Sequence, residues 1–132
     1  MTSIVSHDNF AVVGVAEIAP GCCGWSAVVV LPSGSRITTG LLRDTTTGAA
    51  ALVGLGEVLR LLPESGAVQV VLPEAGDVPL ASVMTCASAL QARPGSTVRL
   101  PDDSTLGEGA LRLIHTAREL AEAEALRLVK AA

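Results

Sequence analysis

Thr46-Thr47-Gly48-Ala49-Ala50-Ala51-Leu52-Val53-Gly54-Leu55-Gly56-Glu57-Val58-Leu59 is the stretch on which the reading of this chain turns. Thr45 or Thr46 can accept the unpaired amides of a first helical turn. Ala49, Leu52, Leu55, Gly56, Leu59 and Leu62 then recur at helical spacing, and Pro63 with Gly66 closes the segment. Gly54 and Gly56 fall inside this helix, where each costs about 1 kcal/mol relative to alanine. Close approach of the helix to a sheet would justify that cost, so the helix is expected to lie against strands.

Strand patterns flank it on both sides. Phe10 to Ile18 is rich in β-branched residues and reads as a buried strand. Ala19-Pro20-Gly21-Cys22-Cys23-Gly24 reads as a turn, Trp25 to Leu31 as a second strand, and Arg36 to Leu42 as a third. Connections this short make the three an antiparallel meander. Beyond the helix, the nearly all-apolar run Ala67 to Leu72 fits a central parallel strand covered on both faces. A second helix is expected over Pro79 to Ala92 and a short fifth strand over Ser96 to Leu100. Pro101 to Thr105 reads as a capping loop. A long last helix from Leu106 to about Lys130 carries an apolar stripe through Ala110, Ile114, Ala117, Ala121 and Leu128. Its other face carries charges, some at ion-pair spacing. Residues 1–9 are polar and expected to be flexible, and 10–132 form one domain. The order β-β-β-α-β-α-β-α implies an α/β fold with a mixed five-stranded sheet flanked by helices.

Composition narrows the function. Hydrophobic residues make up 49% of the 132, but aromatics only 2%, so the core is built from Val, Leu, Ile and Ala. A mean hydropathy of +0.52 calls for very efficient burial or a partner over apolar surface. Net charge is −4, and the eight arginines and one lysine are scattered without a basic run, which argues against strong nonspecific nucleic-acid binding. No apolar stretch approaches the ~20 residues of a membrane span. His7, Asp8 and Asn9 interrupt the N-terminus before any apolar run, so no secretory leader is expected and a cytoplasmic setting follows. Cys22-Cys23 and Cys86 lack the spaced pairs and co-ligands of a zinc site, and read as small structural residues.

The element order, and local sequence from about residue 10 to 130, resemble the ribonuclease H family. Gly24-Trp25-Ser26-Ala27-Val28-Val29 resembles the opening of that family's second strand. The Thr46–Leu59 stretch is similar to its Thr-Asn-Asn-x-x-Glu-Leu-x-Ala-x-x-x-Ala-Leu helix. Val68 to Glu74 stands where the family has a strand ending in Thr-Asp-Ser. The resemblance implies carboxylates converging on two Mg²⁺ or Mn²⁺ ions, hard cations that take oxygen ligands, to cleave RNA–DNA hybrids. At the positions it implies, this chain has Ala16 (with Glu17 adjacent), Ala51, and Pro73 (with Glu74 adjacent). The last falls near Leu111, with Arg118 as another candidate. A one-residue shift along a strand turns a side chain to the other face, so Glu17 and Glu74 do not simply replace the missing acids. No Lys- and Trp-rich extension follows the second helix, because Arg93-Pro94-Gly95 is too short to hold one. His115 lies within the last helix rather than in a loop before it.

Other chemistries lack their context. Gly54-Leu55-Gly56 sits inside a helix rather than between strand and helix, and Ser33-Gly34-Ser35 is hairpin chemistry. Trp25, beside a strand, reads as core. The leading expectation is a catalytically inactive ribonuclease H-like domain acting as a binding or scaffold module, through a protein partner or as a homodimer. Its candidate surfaces are the third strand's exposed side, Arg36 to Leu42, and the last helix. The first alternative is a divergent metal-dependent nuclease using Glu17 and Glu74, with Asp77 or Glu108. The second is a noncatalytic nucleic-acid binder. The leading reading requires no cofactor, the nuclease reading Mg²⁺ or Mn²⁺.

Overall fold

β-Branched runs and helical stripes in this order build a five-stranded mixed sheet with helices packed on it. The computed structural model describes residues 9–63, 66–73, 88, 90, 95–99 and 107–131. Its elements are β1 (Asn9–Ala19), β2 (Cys22–Leu31), β3 (Gly34–Leu42), α1 (Thr47–Leu61), β4 (Val68–Val71), β5 (Thr97–Arg99) and α2 (Glu108–Ala131). The sheet order is β3-β2-β1-β4-β5. The hairpins β1–β2 and β2–β3 are antiparallel, and β4 runs parallel to both β1 and β5. The α/β class and the mixed five-stranded sheet are therefore as the sequence implies. Two helices are described end to end, and Ser88 and Leu90 are also helical. The expected Pro79–Ala92 helix, with Cys86, lies outside the described residues except for Ser88 and Leu90, as do residues 1–8 and the 101–105 loop.

Alternation along β1 sends successive side chains to opposite faces. Ala11 and Val13 join Cys23, Trp25, Ala27 and Val29 of β2 beneath α1, which contributes Ala50, Leu55 and Val58. Trp25 is thus a core residue, only 8% exposed. On the opposite face, Val12 and Val28 pack with Ala117 of α2, and Phe10, Val30, Leu113, Ile114 and Leu120 lie around them. α1 starts where expected: Thr46 is the N-cap, its Oγ1 accepting the Ala49 N–H at 3.1 Å. At the other end, Arg36 of β3 donates from Nη1 to the Leu61 carbonyl at 2.6 Å, satisfying one of the acceptors a helix end leaves open.

Several local expectations change. Cys22, Cys23 and Gly24 belong to β2 rather than to a turn. The chain reverses in the two residues Pro20 and Gly21, with Gly21 at φ +73°, and a register shift between Glu17 and Ala19 takes up the extra residue. Asn9 opens β1 as a buried residue whose Nδ2 donates to the Ala67 carbonyl at 3.0 Å. Of Gly54 and Gly56, only Gly54 meets the sheet. A Cβ there would lie 2.6 Å from Cγ1 of Val13, whereas Gly56 faces open space. On α2, Ala117, Ala121 and Ala125 are fully buried, while Ala110, Ile114 and Leu128 of the expected stripe are half-buried. Among the described residues, no helix is long and apolar enough to cross a membrane.

Candidate functional site

β4 runs parallel to β1 and stops beside Val12, so its carboxyl end opens next to the carboxyl-terminal half of β1. That edge is where open α/β sheets commonly receive ligands. A cavity of about 450 Å³ lies there. The carboxyl-terminal half of β1, from Val13 to Glu17, forms its floor. Thr47 enters from the first turn of α1, Pro73 from just beyond β4, and Ile114 and Arg118 from α2. Gly14 lets α2 come down onto the sheet beside it, since a Cβ at that position would strike the Ala117 carbonyl. Ser26, opposite Gly14 on β2, is buried and donates from Oγ to that same carbonyl at 2.6 Å. α2 is thereby fixed at a height and register that hold Ile114 and Arg118 over the strand ends.

The residues singled out in the sequence divide around this cavity. Ala16 lines it with a nearly buried methyl group, and Pro73 lines it with a ring that has no ligating atom. Ala51 is buried in α1, 3% exposed, and does not line it; Thr47, one turn earlier, is the α1 residue that does. Leu111 is 49% exposed, away from the lining, while Arg118 is part of it. Glu17 reaches the cavity, but its Oε2 accepts the Gly21 N–H at 3.3 Å, tying the carboxylate to its own hairpin. Glu108 is absent from the lining and pairs with Arg112 at 3.0 Å on the exposed side of α2. Glu74 and Asp77 lie outside the described residues. His115 points to solvent with its Nε2 3.5 Å from Glu119, and does not reach the cavity.

This donor set can be tested against a pair of hard divalent cations. Gly14, Ala16, Pro73 and Ile114 offer no side-chain oxygen, and Arg118 brings a positive charge that opposes cation binding. Among the lining residues only Glu17 and Thr47 supply side-chain oxygens, and the Glu17 carboxylate and Thr47 are both engaged in other interactions. Among the described residues, no three His, Cys, Asp or Glu side chains gather to hold a metal ion. The described lining does not fit such a metal pair. Among the described residues it is a mixed, mainly apolar pocket whose charged side chains are Glu17 and Arg118.

A second recess, about 550 Å³, opens on the α2 face between that helix and β3. Val28 and Val30 form its floor, Leu113 and Leu120 one wall, and Ile37 the other. It is more apolar than the first, and Ile37 at its rim is 53% exposed.

Neither a protein-family model nor a curated protein matches this chain.

Thr47, Ile114 and Gly14 were not legible as site residues. Gly14 alone carried a signal: a glycine inside an otherwise β-branched strand marks a place where another backbone approaches. Thr47 and Ile114 are ordinary residues of their helices, and only the three-dimensional arrangement brings them to the strand ends.

Proposed function

We propose that this chain is a degenerate ribonuclease H-like domain that does not run two-metal hydrolysis and works as a protein-binding or scaffold module. One observation carries the reading. Where β4 ends beside the carboxyl-terminal half of β1, and where the family's chemistry would need converging carboxylates, the cavity presents Ala16, Pro73 and Arg118. A methyl group, a pyrrolidine ring and a guanidinium neither ligate nor tolerate a pair of divalent cations. The sheet order β3-β2-β1-β4-β5 with α1 and α2 on opposite faces supports the same kinship, as does the local resemblance of the α1 sequence. A mean hydropathy of +0.52 and an exposed Ile37 support a surface made for a partner.

The test is cleavage of an RNA–DNA hybrid by the full chain with Mn²⁺ or Mg²⁺ over a wide range of protein concentration. No metal-dependent cleavage is expected. Cleavage abolished by Glu74→Gln would overturn the reading in favour of a divergent nuclease. Glu17 on the cavity wall is the one observation that favours this second reading.

A further inference from the structure

We infer that two copies of this chain associate through the outer edge of β3, pairing antiparallel about Thr38 to continue the sheet across a two-fold axis. The inference rests on the binding-module reading and names its partner.

The sheet has two edges of very different character. β5 is three residues long, one of the ordinary ways in which an edge is made harmless. β3 is nine residues long and pairs with β2 from Leu31–Gly34 to Cys23–Leu42 without a register shift. It holds no proline and no lysine. Its only charged residue is Arg36, and the Arg36 guanidinium is turned back onto the Leu61 carbonyl. Among the described residues nothing pairs with the outer side of β3. The devices that normally discourage edge-to-edge pairing are therefore missing from the long edge.

Charge selects a second copy as the occupant. The chain carries a net −4, so two copies repel over most approaches. From Trp25 to Leu42 the one charge is that of Arg36, which leaves β3 a neutral seam in an acidic molecule. The strand is also complementary to itself. Antiparallel pairing about Thr38 sets Thr38 against its own copy, Ile37 against Thr39 twice, and Arg36 against Gly40. No like charges meet, and threonine faces threonine at the axis.

The register of β3 against β2 places Ile37, with Val28, on the α2 face, so this contact also closes the apolar recess between β3 and α2. Nine residues at ~3.4 Å each give a seam roughly 30 Å long. With flanking side chains on both faces, the pair buries on the order of 1,200 Å² in total, the lower end of the range for stable specific interfaces.

Sedimentation velocity on the full chain tests this, with far-UV circular dichroism to check folding. The wild-type chain is expected to sediment as a dimer. Ile37→Lys, at an exposed position that the monomer's fold does not need, should weaken association by at least about tenfold. Val53→Lys, on the exposed side of α1, should leave it unchanged. Adding Thr39→Glu to Ile37→Lys should restore the dimer, because the pairing sets the new ammonium opposite the new carboxylate of the other copy. A strictly monomeric wild type would overturn the inference. So would an Ile37→Lys variant as dimeric as wild type, or a double variant that stays as weak as Ile37→Lys alone. None of these outcomes bears on hybrid cleavage, so the two proposals fail separately.

Discussion

The two faces of the one sheet are covered by helices in opposite ways. Beneath α1, large branched side chains interlock. Val13 of the sheet fits the notch left by Gly54 of the helix, and Leu55 and Val58 are fully buried between strands. Beneath α2 the glycines are on the sheet instead. Gly14 and Gly24 accept the helix backbone itself, with Ala117, Ala121 and Ala125 as the buried stripe and Ser26 bonded to the Ala117 carbonyl. The α1 face is held by volume and can repack around a change. The α2 face is held by backbone proximity, and a backbone cannot change rotamer. That rigidity sets where Ile114 and Arg118 stand over the strand ends.

The largest effect follows from this difference. A Cβ on Gly24 would strike the Ala121 carbonyl and lie 2.6 Å from the Ala125 methyl. Gly24→Val is therefore expected to cost about 4 kcal/mol or more, because α2 must lift along its length. Urea unfolding monitored by circular dichroism would measure it. A cost near 1 kcal/mol would mean that α2 rides over the sheet without close contact, and the contrast between the faces would fail.

On the α1 face the matching change removes volume rather than adding it. Leu55 is 1% exposed within the larger core cluster, and Leu55→Ala should cost about 2–5 kcal/mol, depending on how far Val13 and Trp25 close the space. The same urea titration applies. A value at the lower end would show that this face relaxes, which sharpens the comparison. A value above that of Gly24→Val would reverse it.

The sequence carried the α1 face more clearly than the α2 face, for a physical reason. Leucine and valine at helical or alternating spacing announce burial, so α1, with Thr46 as one of two cap candidates, and every strand except the start of β2 were legible within a residue or two. Alanine is a weak burial signal. The α2 stripe was read through Ala110 and Leu128, which are half-buried, and Ala125, which is completely buried, was passed over. Cys22, Cys23 and Gly24 looked like turn residues because small residues serve turns and close packing alike; only the pairing of Ala16 with Gly24 and of Glu17 with Cys23 distinguishes them. The cavity was legible in part. Ala16, Pro73 and Glu17 could be placed at strand ends from the resemblance to the ribonuclease H family, and Arg118 as one of two candidates, but not the distinction between Ala51 beneath the helix and Thr47 at the opening.

The smallest effect concerns the outer sides of the two helices, which should not share the contrast between the faces they bury. Glu57 on α1 and Glu124 on α2 each pair with an arginine three residues on, Arg60 at 2.8 Å and Arg127 at 2.6 Å. The hydrogen bond from the arginine, above all, holds each carboxyl below the ordinary glutamate range, against a smaller opposing effect of desolvation. A carboxyl depressed in the folded state adds stability that is present above its unfolded pKa and is lost as pH falls through the folded one. Each pair's contribution should thus disappear on acidification below the usual carboxylate pKa of about 4.3. The arginines, raised by the same contacts, stay charged throughout that range. Both pairs are exposed enough for solvent to screen them heavily. Glu57→Gln and Glu124→Gln should each flatten the acid limb of the thermal midpoint against pH by a barely resolvable and equal amount, and added salt should remove the difference from wild type. A clearly larger effect for Glu124→Gln would mean that the α2 surface pair helps to hold the helix at its close distance. The separation between a rigid buried face and an indifferent outer one would then no longer stand.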